Sequence, residues 1–143
     1  MIEIKHRETG KVLKTVDGNS LANQKFENAL LEGANLAGLN LAGADFQCAN
    51  LRGAALRGAK LEKASFHSAV LTGCDLSEAN LSGAKLAGAI LCRAVLRGAD
   101  LRDANLVGAL LGKLALRLVE VGQQLQPRPA NAFLVLQILG NPV

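Results

Sequence analysis

A leucine or a phenylalanine occupies every fifth position of this chain from residue 21 to residue 116. Seventeen Leu and three Phe fill these twenty positions without an exception. Such a period fits no single regular element. On a helix it would spread the large side chains around the whole surface, and on one straight strand it would alternate them between faces. The chain must therefore turn regularly to keep these residues inside.

The residues around each central Leu or Phe indicate where the chain turns. From residue 29 to residue 109 the position two before the centre is Ala except at Leu39 and Cys74, and the position two after the centre is Gly ten times. The Ala and the central residue share one face of a short extended segment because they lie two apart. The three residues that follow must form a corner, and Gly suits a corner because it readily adopts positive φ. The pattern predicts a solenoid of very short strands.

The number of units in one coil follows from a second spacing. The three Phe centres, Phe26, Phe46 and Phe66, lie twenty residues apart, which predicts one column of stacked rings in the core. Four five-residue units then complete a coil, so the cross-section is square. Between residues 21 and 116 the chain would make about five coils, with neighbouring strands about 4.8 Å apart.

The repeated motif resembles that of a known family. Ala-Asn-Leu-x-Gly occurs at residues 34–38 and 49–53, and Ala-Asp-Leu-x-x at residues 99–103. These units are similar to those of the pentapeptide repeat family. The resemblance covers residues 19–121 and implies an all-β fold, a right-handed quadrilateral parallel β-helix with the central residue and the preceding Ala pointing inward. It implies a scaffold and no particular chemistry.

The two ends of the repeat need covers, because the last coil on each side has unpaired strand edges. Residues 1–18 contain two apolar, alternating stretches around Gly10, which predicts an N-terminal β-hairpin cap. Residues 122–143 are predicted to form a linker with Pro127 and Pro129 and then an apolar element at residues 132–139. This element either folds back over the last coil as a cap or pairs with a second molecule.

Catalytic and metal-binding residues are not indicated. His6 and His67 have no Ser, Cys or carboxylate at a motif spacing, and the odd number of three Cys includes no CxxC pair. We expect a protein that is not an enzyme and has no cofactor or metal. The charged N-terminal residues are unlike a secretory signal, and the longest apolar run is far shorter than a membrane span. A cytoplasmic location with no membrane contact is therefore expected.

The candidate protein interface is a set of outward apolar residues in the twenty-residue register. Val70, Ile90 and Leu110 form the set, with Leu30 further along the same column and Val95 close by. Outward positions of a soluble solenoid need not be apolar, and contiguous apolar patches often mark interfaces. The alternative is that the C-terminal segment packs over these residues. The expected partner is another protein or a second copy of the chain.

Nucleic-acid binding and DNA mimicry are both disfavoured by charge. The net charge is +4, which is small, and no aromatic residues are interleaved with the Lys and Arg. The resemblance also suggests the quinolone-resistance members of the family, which mimic duplex DNA and bind DNA gyrase. Between residues 29 and 113, however, nine basic residues outnumber seven acidic ones. The preferred hypothesis is a non-catalytic scaffold, with gyrase binding as the alternative.

Overall fold

The computed structural model describes residues 1–112. It begins with an antiparallel hairpin of β1, Ile2–Lys5, and β2, Val12–Val16. From residue 21 the chain winds in short extended segments that pair in parallel with the segment twenty residues later. The pairs run from Lys25–Asp45 to Ile90–Leu110. One coil therefore takes twenty residues.

The core consists of the central residues and the Ala positions before them. Every central Leu and Phe from Leu21 to Leu106 is buried, and so are the Ala positions of the later coils. The rings of Phe26 and Phe46 stack with centroids 4.9 Å apart, and those of Phe46 and Phe66 with centroids 5.1 Å apart. These distances are close to the spacing of neighbouring strands, about 4.8 Å. Each of these three coils thus contributes one ring to the column.

The corners have one backbone conformation throughout the described coils. The second residue after each centre, from Asn23 to Gly108, has a positive φ, whether or not it is Gly. From Asn23 to Gly88 its N–H donates to a carbonyl of the next coil, as Lys63 N does to Ser82 O at 2.9 Å. The stacking of the coils therefore imposes the corner even on residues with a side chain. The corner residues other than Gly are Asn23, Asn28, Cys48, Lys63, Ser68, Glu78, Arg93 and Asp103.

The residue before the centre supports the corner from outside. Wherever this residue is Asn or Asp in the described coils, its Oδ1 accepts a hydrogen bond from the backbone N–H two residues later, at 3.0–3.4 Å. Short polar side chains commonly bond nearby backbone in this way. The acceptors are Asn35, Asn40, Asp45, Asn50, Asp75, Asn80, Asp100 and Asn105.

The hairpin lies against the first coil. Ile4 and Val16 are buried with the repeat core. Lys5 O accepts a hydrogen bond from Asn35 N, and Arg7 N donates to Gly33 O, both at 2.8 Å. The hairpin is thus joined to the solenoid through both its core and its backbone. The predicted last units up to residue 121, and with them the count of about five coils, lie partly outside the described residues, as the element at residues 132–139 does entirely.

Candidate interaction surface

One outer column of the solenoid contains four of the five predicted apolar residues. Parallel bridges join Leu30 to Asn50, Asn50 to Val70, Val70 to Ile90 and Ile90 to Leu110. Asn50 therefore separates Leu30 from the other three aliphatic residues. We call Val70, Ile90 and Leu110 the aliphatic strip. The side chains of one strip residue and the next lie one coil apart.

The strip is accessible along its length. Val70 and Ile90 are partly exposed, and Leu110 is 58% exposed. Leu30, below Asn50, is 77% exposed. Exposed single aliphatic residues are common on proteins, but three stacked along one column form a continuous patch.

Two further exposed Val residues lie on other faces. Val95 is bridged to Asp75, so it belongs to the column of the next face and not to the strip. Val107 is 44% exposed and was not singled out from the sequence. Its register neighbours are Glu27, Gln47, His67 and Ala87, so the twenty-residue spacing gives no apolar pattern there.

The edges of the strip are small and uncharged. Gly88 and Gly108 occupy the corner that precedes Ile90 and Leu110. Thr72 and Cys92 follow Val70 and Ile90 by two residues, and both are partly exposed. Long charged side chains therefore do not border the strip at these positions, and a partner can approach the backbone closely.

The three cysteines are free thiols in different environments. Cys48 is exposed at a corner, Cys92 is partly exposed beside the strip, and Cys74 is buried. The Cys74 thiol donates a hydrogen bond to Leu51 O at 2.8 Å. Burial raises the pKa of Cys74 to about 12, so its thiol stays neutral near neutral pH.

The basic residues on the outside are interleaved with acidic ones. Arg57 pairs with Glu78 at 3.0 Å, and Arg102 pairs with Asp100 at 2.6 Å. The hydrogen bond from the Arg102 side chain lowers the pKa of Asp100. Such exposed pairs contribute little stability because the solvent screens them. They are typical of a solvated surface.

Two open grooves lie on the outside of the described coils, and the first reaches Gly73, the corner after Thr72. The first, of about 280 Å³, lies where His6 and Arg7 meet Glu32 and Arg52. The His6 Nδ1 accepts backbone hydrogen bonds from Glu8 and Thr9, so this imidazole supports the turn of the hairpin. The second has a volume of about 770 Å³ and is lined by Glu62, Lys63, Ser82, Gly83, Lys85, Asp103 and Asn105.

Two kinds of site are absent from the described residues. Within residues 1–112, no three His, Cys, Asp or Glu side chains are grouped so that they could hold a metal ion. The same residues contain no helix with the length and apolar character needed to cross a lipid bilayer. The aliphatic strip is the longest unbroken column of outward apolar residues in the described coils.

The coils, corners and inward columns define a repeat solenoid, and comparison with known proteins identifies its family. The family model for pentapeptide repeats matches residues 20–47, 49–86 and 74–112 in eight copies. The chain belongs to the pentapeptide repeat family. Proteins of this family are right-handed quadrilateral β-helices, generally with a structural or interaction role and no catalysis. No enzyme family is indicated.

Solved structures of the family resemble this chain to different degrees. The chain is 35% identical to alr5209, a pentapeptide repeat protein from Nostoc PCC 7120, over 72% of this chain and 85% of that one, with a TM-score of 0.60. HetL from Nostoc sp. strain PCC 7120, involved in heterocyst differentiation regulation, is 35% identical over 64% of this chain and 50% of its own, with a TM-score of 0.33. Full-length QnrB1, a plasmid-mediated fluoroquinolone resistance protein, is 21% identical over 95% and 77%, with a TM-score of 0.40. No curated protein matches the chain.

Proposed function

We propose that the protein is a non-catalytic scaffold that binds another protein, or a second copy of itself, through the aliphatic strip. The observation that carries the proposal is the unbroken, accessible column of Val70, Ile90 and Leu110. Burying an aliphatic side chain against a partner contributes roughly 25 cal/mol per Å² of apolar surface removed from water. The other faces of the described coils offer no comparable column.

The strip residues lack the side-chain acceptor that Asn or Asp provides at the same position of other units. Asn or Asp before the centre accepts the N–H two residues later, whereas an aliphatic side chain has no acceptor. Each such bond contributes about 0.5–1.5 kcal/mol. Ala55, Lys60 and Val95 occupy the same position of the repeat and lack this acceptor too. An Asn introduced into the strip is therefore expected to gain the bond and to leave the coil intact.

The backbone beneath the strip favours binding without much loss of entropy. Its segments are held above and below by bonds such as Ile90 N to Ala69 O at 2.9 Å and Leu91 N to Leu110 O at 2.7 Å. A rigid surface loses little conformational freedom when a partner docks. The partner meets three aliphatic side chains already in place.

The test is to replace Ile90 with Asn. This change removes the middle of the strip and supplies the acceptor that the other coils use, so the thermal stability of the variant stays within about 1 kcal/mol of the parent. Self-association is measured by light scattering and partner binding by quantitative affinity capture. We expect at least a tenfold loss of affinity, about 1.4 kcal/mol.

The matched control is Ala55→Asn. Ala55 occupies the same position of the repeat on the next face, outside the strip, and is partly exposed. The control variant keeps full binding if the strip is the interface. Equal binding by Ile90→Asn and the parent would disprove the proposed role of the strip.

The N-terminal hairpin is proposed to cap the solenoid. Its buried Ile4 and Val16, and its backbone bonds to Gly33 and Asn35, support this role. An uncovered edge of the first coil would offer N–H and C=O groups for pairing with other chains. The proposed location is the cytoplasm, which is supported by three free thiols in one small chain.

Gyrase binding by DNA mimicry remains the alternative function. A mimic of a polyanion presents acidic surface, whereas the outer residues here pair Arg57 with Glu78 and Arg102 with Asp100. The net charge of +4 has the opposite sign to DNA. A supercoiling assay with purified gyrase separates the two functions, and we expect no inhibition.

A further inference from the structure

We propose that the segment bound by the aliphatic strip is acidic, and that Arg52 and Arg93 bind its carboxylates. This inference rests on the proposed function, because it takes the strip as the binding surface and adds the chemistry of the partner. The strip belongs to one face of the solenoid, residues 50–53, 70–73, 90–93 and 110–112, which we call the strip face. Its occupant is a peptide segment of another protein in which aliphatic side chains lie next to acidic ones.

The charged residues of the strip face are both basic. Arg52 follows Asn50 by two residues and Arg93 follows Ile90 by three, so both lie at the corner on the same side of the strip. No Asp or Glu occurs in the strip face. Asn50 and Ile90 are two coils apart, which separates the backbones of the two Arg by about 10 Å along the axis. The strip face therefore combines an aliphatic column with a positively charged edge.

Both guanidinium groups are available to a ligand. Arg52 and Arg93 are exposed, and within residues 1–112 neither side chain makes an ion pair or a hydrogen bond. On the next face, by contrast, Arg57 pairs with Glu78 at 3.0 Å. A partner carboxylate can therefore bind Arg52 or Arg93 without first displacing a carboxylate of the same chain.

Space for a carboxylate lies beside Arg52. The groove of about 280 Å³ at this end of the strip face is lined by Arg52, Gly53 and Gly73, together with Glu32 and residues of the hairpin. A Cβ at Gly53 or Gly73 would meet no atom within 4 Å, so these corners leave the groove open towards the strip. Glu32 lies one coil below Arg52 and repels a carboxylate there. The carboxylate of a ligand therefore enters from the side of Gly73, next to Val70.

The hairpin contributes one cation and one anion to the same groove. The Arg7 Nε lies 3.8 Å from Glu8 Oε1, and Arg7 Nη1 donates to Gly53 O at 3.3 Å. The charges of Arg7 and Glu8 offset each other. Arg52 is therefore the cation of this groove that lacks a carboxylate partner within the part of the chain that the structure describes.

Guanidinium groups beside an apolar surface suit an acidic amphipathic ligand. The planar fork of Arg donates two parallel hydrogen bonds to the two oxygens of a carboxylate, which an ammonium group cannot do. Apolar side chains that dock on the strip exclude water from its edge, and a hydrogen bond to a charged group is stronger where water is excluded. Aliphatic and acidic groups of one segment therefore reinforce each other on the strip face.

The same charges disfavour a second copy of the chain as the occupant. In a dimer with two-fold symmetry, the same patch lies on both subunits. Two strip faces would then bring Arg52 and Arg93 of each chain to a surface without an acidic residue, and facing like charges weaken association. A segment with carboxylates removes this repulsion. The occupant is therefore a different molecule.

The experiment selects ligands from a library of random peptides displayed on phage, with the full chain immobilised. The parent protein should recover peptides enriched in both aliphatic residues and Asp or Glu. A recovered peptide is labelled and titrated by fluorescence anisotropy against the parent and against Arg52→Gln/Arg93→Gln. We expect the double variant to bind it roughly tenfold more weakly or worse. Replacing each Asp and Glu of the peptide with the corresponding amide should remove the difference between the two proteins.

The matched control is Arg57→Gln/Lys63→Gln. Arg57 has the same place in its five-residue unit as Arg52, and Lys63 is a corner residue with positive φ like Arg93. Both control residues are exposed and lie on other faces, so this variant has the same net charge but an unchanged strip face. It should bind the peptide as the parent does. Equal weakening by the two double variants would overturn the inference, and so would recovery of peptides without acidic enrichment.

Ile90→Asn separates this inference from the proposed function. This variant should recover none of the acidic peptides. If it recovers the same peptides as the parent, or if the parent recovers none, the strip is not a docking surface and the proposed function fails as well. If Ile90→Asn prevents binding but Arg52→Gln/Arg93→Gln does not, the strip binds a partner and the inference alone fails.

Sedimentation with vesicles tests a lipid ligand. Vesicles of phosphatidylcholine and phosphatidylserine should not bind the protein. Vesicle binding that is lost in Arg52→Gln/Arg93→Gln would overturn the inference, because the two Arg would then bind an anionic lipid surface.

Discussion

Cys74 stands in an inward column where the neighbouring coils have Ala34, Ala54 and Ala94. The thiol fits there because its Sγ donates to Leu51 O, which satisfies its weak donor inside the core. Burial removes the thiolate from water and raises the pKa to about 12 from 9.0. The spacing of the repeat predicts that this residue points inward. It does not predict the hydrogen bond, because the acceptor lies twenty-three residues away on another segment.

The raised pKa of Cys74 predicts a loss of stability at high pH. Above pH 9 the unfolded chain loses the thiol proton, whereas the folded chain keeps it up to about pH 12. Folding then binds a proton, so the free energy of unfolding falls as the pH rises from 9 towards 12. Urea unfolding of the parent and of Cys74→Ala, at about pH 8 and about pH 10.5 under reducing conditions, measures this. The variant should lose less stability between the two pH values, and equal losses would contradict the prediction.

The positive φ of the corner residues can be predicted from the sequence only where the residue is Gly. Gly at ten corners predicts positive φ, because Gly adopts it without strain. Nothing local predicts the same φ for Lys63 or Glu78, since residues with a side chain lose about 1–2 kcal/mol in this region. Lys63 N donates to Ser82 O, and Glu78 N donates to Arg97 O at 2.8 Å. These bonds between coils override the local preference.

One contact between the hairpin and the first coil is made at the Gly33 corner. The imidazole of His6 lies directly over Gly33, and a side chain at position 33 would collide with it. Arg7 donates from its backbone N–H to Gly33 O at 2.8 Å and from its guanidinium to Gly53 O at 3.3 Å. Alternating apolar residues predict the hairpin itself. The contact between the hairpin and the Gly33 corner cannot be predicted from the repeat spacing, because it depends on the packing of residues that lie far apart in the sequence.

A pair of glycine substitutions tests this contact. Gly33 and Gly58 both have a φ of +65°, so Ala causes the same backbone strain at each, about 1 kcal/mol. A Cβ at Gly58 meets no atom within 4 Å, whereas one at Gly33 must displace His6. Thermal unfolding should show a loss for Gly33→Ala that exceeds the loss for Gly58→Ala by about 1 kcal/mol or more.

Hydrogen exchange of β1 and β2 provides the second readout for this pair. Exchange should accelerate in Gly33→Ala and stay unchanged in Gly58→Ala, because only the first variant disturbs the hairpin. Equal stability and equal exchange in both variants would show that the His6 contact does not hold the hairpin in place.

The whole molecule is a stack in which each coil depends mainly on its neighbours. Leu21, Leu41, Leu61, Leu81 and Leu101 form one inward column of the square core. Leu61 has a Leu in the coil above and in the coil below, whereas Leu21 has one on a single side. The position of a residue along the stack should therefore determine how much its side chain contributes.

Truncation of two residues in this column tests the dependence on position. Leu61→Ala should lower the free energy of unfolding by about 2–5 kcal/mol, because it leaves a cavity inside complete coils. Leu21→Ala should cost clearly less, since Leu21 lies at the end of the column. Denaturant unfolding measures both values, and equal losses would mean that the end coil is packed as tightly as the middle.

Much of the molecule can be predicted from its sequence, and the strip is a good example. The spacing of twenty assigns Val70, Ile90 and Leu110 to one column, and Asn50 is visible as an interruption of it. The same counting assigns Val95 to the next face. The exposed fraction of each side chain cannot be predicted by this counting, because it depends on how far neighbouring side chains cover the residue. Val70 and Ile90 are partly exposed, whereas Leu110 is 58% exposed.

The pitch of the coils has a consequence for the geometry of any ligand. The strip presents its three side chains at intervals of about 4.8 Å along the axis of the solenoid. A helix laid along that axis presents a side chain about every 5.4 Å, so its mismatch over two intervals is about 1 Å. An extended strand presents same-side residues about every 6.7 Å, and its mismatch is about 4 Å. The spacing of the coils therefore matches the side-chain spacing of a helical ligand better than that of an extended one.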